Sequence, residues 1–400
     1  MFKKATLALL TAILVCSSSI VFATADESKI PEPFRGERKG SPIQITYDDW
    51  TKILRSTVVE AGSSDRSSAS APRPEIGTRA IRGNTSSTRN EGNRIVFEAF
   101  TDEKNAEIVH RILTELQAVP GEVPMREWTK NEQLAYWLNL YNITVIDLIA
   151  KEYPTRSLKK LTSGKGSLWD KKVLKVSGVD LSLNDIEEIL TYKWDSTIVM
   201  YGLFQGYVGG PSIRRTAFTG ENVHRSLVDN AKEFVNSNRG MRLKGSNLII
   251  SEYYKENAVL FSDWKDDLKK HFISLTEYGL HDRIRKAKKI KATTDDYFIA
   301  DLYGGSTRHG TASATNSAAL NDARVHVNSG FSAGNGASMG IGSFTMESYA
   351  NFGTDPIEMR FPPHVREYVQ QMRKNKATQD GTVEVEEIDE GSGEVSEVPE

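Results

Sequence analysis

The sequence holds one cysteine in 400 residues, and Cys16 lies inside the apolar run near the start of the chain. With residues 1–25 read as a signal peptide, the rest of the chain carries no thiol. That excludes disulfides, thiolate nucleophiles and cysteine-rich metal sites from the exported form. Histidine is scarce too. His110, His224, His271, His281, His309, His326 and His364 form no H-E-x-x-H and no close pair, so spacing names no metal site and no cofactor is expected. A G-x-x-x-x-G-K-[ST] phosphate loop is missing, and Gly164-Lys165-Gly166 reads as a flexible turn. Ser212 lacks the G-x-S-x-G context of a hydrolase serine. Past residue 25 no apolar run approaches the ~20 residues of a membrane span.

A strong excess of basic charge is also lacking. Residues 1–25 contain Lys3 and Lys4 and no acid, so the remainder has 49 basic against 53 acidic residues. Nine of those acids fall in 377–400, where no basic residue occurs, which leaves the body from 26 to 376 at a formal +5. Such a mild excess is unlike the concentrated basic face of a nucleic-acid binder, so no nucleic-acid partner is expected. Residues 377–400 have few large apolar side chains and read as a disordered acidic tail.

What is present begins with Phe2-Lys3-Lys4, an apolar stretch from Leu7 to Val15 and the A-x-A site Ala23-Thr24-Ala25. This pattern predicts a signal peptide cleaved after Ala25, a periplasmic or secreted protein, and no transmembrane anchor after cleavage. Ser17, Ser18 and Ser19 interrupt the apolar run, and bulky Val15 before Cys16 argues against lipid attachment.

Residues 26–100 read as an N-terminal extension. It contains an amphipathic helix at 47–59 and a long polar loop at 62–94 with six arginines against three acids. The globular core is placed at 101–303. Apolar spacing there predicts a half-buried helix over 102–118 ended by Pro120 and Gly121, then a helix over 132–153 apolar on most of its circumference. Strand-like pieces follow at 173–176 and 197–204 with a helix over 183–192 between them. Beyond lie a helix over 221–236, a hairpin of 241–243 with 248–250, and a helix over 253–272. Residues 304–361 are dense in Gly, Ser and Asn and read as a wrapping segment, before a short helix at 362–376. The expected class is α+β: a helix-rich single domain with a central buried helix and a small antiparallel sheet.

Glu132, Asn139 and Asn142 fall near one line along the central helix, as seven- and three-residue spacings require. One reading is a polar stripe facing a cleft. The other makes Glu132 the partner of Thr129 in a T-x-x-E capping box and gives the asparagine amides to neighbouring backbone. Ser182 and Asp185 fit a second capping box. Arg214 and Arg215 suit a carboxylate or phosphate, or a bridge to Asp185 or Glu187. His224 falls on a predicted helix, where a single histidine is more often structural than catalytic. The run Arg283, Arg285, Lys286, Lys288, Lys289 and Lys291 reads as a solvated helix end, or as a contact for an anionic envelope surface.

The stretch Glu132-Gln-Leu-Ala-Tyr-Trp-Leu-Asn-Leu-Tyr-Asn142 resembles the bacterial and plant family called domain of unknown function 547, in which a glutamate precedes a W-x-N-x-Y-N stretch. The resemblance continues through 181–187, 197–214 and 221–261. Many relatives look to carry a histidine and then C-G-x-x-S-C-P in the third stretch, an arrangement suited to thiol chemistry. Here Met200 stands at the histidine position, and Gln205 and Gly210 at the two cysteine positions. The resemblance implies no established reaction. It implies a glycine turn, with Gly206, Gly209 and Gly210, where backbone N–H groups can approach a ligand or where a tight turn needs positive φ.

These readings converge on a cleft formed by Glu132, Asn139, Asn142, Gln205 and Arg214, with Gly209 and Gly210 as binding residues. The expected function is a binding or envelope-associated module whose partner is an envelope polymer, a peptide or another envelope protein. The alternative is a periplasmic or extracellular hydrolase or transferase using Glu132, Glu187 or His224 as acid or base.

Overall fold

The computed structural model describes residues 26–69, 84–164, 166–306, 352 and 360–379. Residues 1–25 (read as a signal peptide), the middle of the polar loop, most of 304–361 (read as a wrapping segment) and the acidic stretch beyond 379 lie outside the described residues. Helix α1 (Asp48–Thr57) starts with Asp48 and Asp49 in its first turn, where acids suit the helix dipole, and it buries Trp50, Ile53 and Leu54. Strand β1 (Val58–Val59) pairs antiparallel with β2 (Arg94–Ile95), so the polar loop leaves and rejoins the body at one place. Its described ends are tied down. Arg66 donates to the carbonyls of Met241 and Val235, Glu91 accepts from the N–H groups of Asn238 and Arg239, and Asn84 and Thr88 donate to Asp296.

Helix α2 (Glu103–Glu122) is capped by Asp102, which accepts from Lys104 and Asn105. Contrary to the expected stop before Pro120, the helix runs through it. A proline there cannot donate to the carbonyl four residues back. That carbonyl, on Leu116, instead accepts from the Tyr136 hydroxyl at 3.0 Å, which removes the cost of leaving it unpaired.

Helix α3 (Lys130–Lys151) buries 17 of its 22 residues, so it is covered on every side and serves as the axis of the fold. Phe34 meets Trp137 edge-on at 4.9 Å, and Trp137 in turn meets Tyr136 at 5.2 Å. The short α4 (Lys159–Thr162) precedes the hairpin of β3 (Leu174–Val176) and β4 (Val179–Leu181), whose turn uses Ser177 and Gly178 at positive φ. Helix α5 (Leu183–Trp194) opens with the complete Ser182/Asp185 capping box that the sequence predicted.

The stretch 197–204 is not a strand. It forms a 3-10 turn over Val199–Gly202 with local bonds from Tyr201 to Ile198 and from Leu203 to Met200. A short, continuously apolar run has no periodicity to separate strand from helix. Gly202 also packs so closely against Leu227 and Leu138 that a Cβ would fall 2.7 Å and 2.8 Å from them.

Helix α6 (Val223–Val235) leads to the hairpin of β5 (Met241–Lys244) and β6 (Asn247–Ser251). The expected helix over 253–272 is two helices, α7 (Tyr253–Glu256) and α8 (Trp264–Leu275). Asp263 caps the second and forces a fresh start. After α9 (His281–Arg285), strand β7 (Lys289–Thr294) joins β6 in parallel. This sheet is therefore mixed, whereas the two-stranded pairs are antiparallel. Part of the basic run read as a helix end is thus an edge strand. Helix α10 (Pro363–Gln379) closes the described chain. Just before it, Arg360 reaches Asp49 through two bonds of 2.9 and 2.8 Å and also meets Glu115. The α+β, helix-rich expectation holds. One hydrophobic core surrounds α3, and a second lies under the β5–β6–β7 sheet.

Candidate functional site

The polar stripe on α3 exists, and each member meets backbone. Thr129 caps the helix by accepting from the Glu132 N–H at 3.2 Å, but the Glu132 carboxylate does not return to the cap. It accepts from the Ile45 N–H at 2.8 Å and from Gly220, whose Cβ, if present, would sit 2.3 Å from Oε2. Burial raises the Glu132 pKa to about 7 against the opposing effect of these two N–H donors. Seven residues on, the Asn139 amide donates to the Phe218 carbonyl at 2.7 Å and accepts from the Phe218 N–H at 3.0 Å. Asn142 repeats the device, donating to the Gly202 carbonyl at 3.0 Å and accepting from the Phe204 N–H at 2.9 Å. The two amides thus clamp two turns of the 202–218 segment onto the central helix.

A different group of side chains meets at a small crevice lined by Glu187, Leu190, Thr191, Ser196, Val199, Met200, Leu203, Asn257 and Leu260. Tyr141 of α3 donates to Glu187 Oε1 at 2.6 Å. Its phenol oxygen accepts from Trp169 Nε1 at 2.9 Å and from Gln205 Nε2 at 2.8 Å. Gln205 also lies 3.4 Å from Glu187 Oε1. Three elements therefore converge on one phenol, and the carboxylate they hold is half-buried at the crevice. Burial raises the Glu187 pKa above the usual carboxylate range, the bonds from Tyr141 and Gln205 oppose it, and the Glu256 carboxylate adds to the rise. Glu256 is itself raised by burial and accepts from the Tyr297 hydroxyl at 3.2 Å. The nearby phenols of Tyr207 and Tyr253 are pushed well above their ordinary range by burial and by these two carboxylates. This arrangement can present a carboxyl with a raised proton affinity, bordered by phenols and an amide, to hydroxyl, amide or ammonium groups.

The structure thus brings Glu187 and Gln205 together, with Asn142 bound to the neighbouring Phe204. Glu132 and Asn139 face Gly220 and Phe218 instead. Gly209 donates its N–H to the Asp296 carbonyl at 2.8 Å and its carbonyl accepts from the Ser251 hydroxyl at 3.0 Å, so both backbone groups are engaged within the protein. The Gly210 N–H bonds to the Tyr207 carbonyl at 3.2 Å. Of the turn's glycines, Gly206 adopts positive φ, at +77°, and a Cβ there would fall 2.2 Å from Ile149. Arg214 bonds to the Ser226 carbonyl and Asn230 Oδ1, with its Nε buried and unpartnered among the described residues. His224 pairs with Asn131 at 2.8 Å on an exposed surface.

Sequence reasoning named Glu187 and Gln205 but missed Tyr141, although that residue stands inside the W-x-N-x-Y-N stretch. A buried tyrosine must find partners for its hydroxyl, and that signal was there to be used. His271 was also passed over as one of seven. Its ring accepts or donates to Tyr201 at 2.6 Å and Thr197 at 3.2 Å, and burial lowers its pKa to about 4. Among the described residues, no group of three or more His, Cys, Asp or Glu is placed to hold a metal ion, and no helix is long and apolar enough to cross a membrane.

Residues 125–235, which include α3, α5, the glycine turn and α6, match the family described as Protein of unknown function, DUF547. The match supports the family that the motifs suggested. It ends at Val235, short of the Phe261 reached by the sequence resemblance, so β5, β6 and everything after them lie beyond the matched residues. No curated protein and no solved structure matches the chain.

Proposed function

We propose that this chain is an exported, non-thiol DUF547 protein that acts as a binding module of the cell envelope, with its ligand contacts at the Glu187 crevice. The observation that carries this reading is the Tyr141–Glu187–Gln205 network. At the position where many relatives look to carry a cysteine, Gln205 donates its amide to the Tyr141 phenol and the Glu187 carboxylate. The locus keeps hydrogen-bonding groups beside a carboxyl and has no thiol. With room for about one water (about 10 Å³), such a locus suits a single hydroxyl or amide group presented by an envelope polymer or a peptide. Export follows from the basic start, apolar run and A-x-A site, and an N-terminus at Asp26 in envelope fractions is the result that supports it.

A second reading has one observation in its favour. The raised pKa of Glu187 is what a general acid needs, which suits a hydrolase or transferase acting on the same ligands. A thermal-shift screen of the purified chain with amino-sugar oligosaccharides and short peptides, with mass analysis of each compound afterwards, separates the two. Binding without chemical change supports the module. Turnover that disappears in Glu187→Gln replaces it with the enzyme.

A further inference from the structure

Three segments meet at the Glu187 crevice: α5 with Glu187 and, one turn on, Thr191; the turn that follows α5, with Ser196; and the end of α7, with Asn257. The remaining lining residues are Leu, Val and Met, and none of the lining is Lys, Arg or His. Oε1 of Glu187 takes Tyr141 and Gln205, which leaves Oε2 without a donor among the described residues. Asn257 donates its amide N–H to the Tyr253 carbonyl at 2.9 Å, so Oδ1 is the end it can offer. The hydroxyls of Thr191 and Ser196 have no hydrogen-bond partner among the described residues. The charge that acts on Glu187 is negative as well: Glu256 raises its proton affinity, and Glu252 raises that of Glu256 in turn.

The crevice encloses about 10 Å³, the room of one water. Its polar lining offers oxygen acceptors, one of them a carboxylate, and a primary ammonium answers it in every respect. Such a group is the size of a water, carries a positive charge, and has three donors and no acceptor. We propose that the crevice takes the primary ammonium of an amino sugar or a lysyl side chain, on Glu187 Oε2, Asn257 Oδ1 and the Thr191 and Ser196 hydroxyls. The inference rests on the crevice being the ligand site and narrows the ligand. N-acetylation removes the charge and adds an acyl group for which there is no room. Trimethylation keeps the charge but removes every donor and swells the head beyond the space. A hydroxyl is held less firmly, because bonds between two charged groups are roughly twice as strong as neutral ones. Glu187 must be ionised to hold the cation, and burial with Glu256 raises its pKa, so affinity rises with pH as the proton leaves. Glu256 titrates in the same direction. The phenols of Tyr141, Tyr207 and Tyr253 that face Glu187 are pushed well above their ordinary range and stay protonated.

Calorimetric titration of the purified chain with an end-blocked lysyl peptide and with a glucosamine oligosaccharide, each as the free amine, N-acetylated and N-trimethylated, tests it. The expected result is binding of the free amine on the order of tenfold tighter than of either modified form, and the arm in which it occurs names the source of the amine. The lysyl amine stays charged below about pH 10, so in that arm affinity should rise from about pH 5 to about pH 8, with a proton released to the buffer on binding. These comparisons use the parent chain alone and do not depend on a variant folding. Glu187→Gln should abolish the preference for the free amine, and Ser196→Ala, at a half-buried hydroxyl, should weaken binding with an unchanged melting midpoint. Equal affinity for free and acetylated forms, both weakened by Glu187→Gln, would overturn the ammonium and leave the crevice standing. A free-amine preference that survives Glu187→Gln would overturn both. Trimethylated forms that bind as tightly as the free amine, or no binding of either free amine at millimolar concentration, would overturn the ammonium and leave the crevice to be tested with neutral ligands.

Discussion

Tyr141 and Glu187 are joined by a 2.6 Å hydrogen bond between α3 and α5, within the short range of charge-assisted O–H···O contacts. The same phenol oxygen takes the buried Trp169 and Gln205 donors, so one hydroxyl satisfies three partners, one of them the half-buried Glu187. Tyr141→Phe removes the donor and the acceptor together. It should destabilise the fold by about 1 to 3 kcal/mol, the cost of stranding buried polar groups. It should also raise the Glu187 pKa further, because the lost bond is one that lowers it. Chemical denaturation and an NMR titration of the Glu187 carboxyl check the two effects separately.

Asn142 is expected to behave as part of the frame. Both ends of its amide are taken by the Gly202 carbonyl and the Phe204 N–H. Asn142→Ala should therefore cost about 2 to 4 kcal/mol, approaching the about 3 to 5 kcal/mol expected for Trp137→Ala in the core around α3. Urea unfolding of both variants decides this. An Asn142→Ala chain as stable as the parent would return that residue to the cleft.

Glu132 should leave a signature in the pH dependence of stability. Its pKa is about 7 in the folded chain against an ordinary 4.5, so between these values the folded state holds the extra proton. Stability contributed by this group is present below about pH 4.5 and falls as pH rises through 7, by on the order of 3 kcal/mol at full development. Asp301, buried and raised to about 6, acts in the same direction, so the comparison must be with a variant. Glu132→Gln should flatten the profile between pH 4.5 and 7 relative to the parent. Equal slopes in the two chains would show that the carboxylate titrates normally.

Much of the frame was legible because its signals are local. Ser182 and Asp185 announce the start of α5, and the all-round apolarity of 132–149 announces the central helix. The asparagine stripe was legible as a line, and its backbone-binding alternative is the geometry observed. What escaped was non-local. Pro120 stays helical because Tyr136, sixteen residues later, answers the Leu116 carbonyl. Lys289–Thr294 becomes a strand because β6 lies beside it in parallel, which its own Lys-Ile-Lys start does not disclose. At the candidate site, Glu187 and Gln205 were named separately. Only the tertiary position of Tyr141 joins them, and the linear spacing that grouped Glu132 with Asn139 and Asn142 carries no information about which segment each meets.

The most direct test of the crevice is a calorimetric titration of the purified chain with whichever amino-sugar oligosaccharide or short peptide raises its melting midpoint, repeated with Glu187→Gln, Gln205→Ala and His224→Ala. The crevice reading expects affinity to fall at least about tenfold in the first two, a loss of about 1.4 kcal/mol, and to stay unchanged in His224→Ala, whose ring lies at the exposed Asn131 contact. Undiminished affinity in both Glu187→Gln and Gln205→Ala would contradict it.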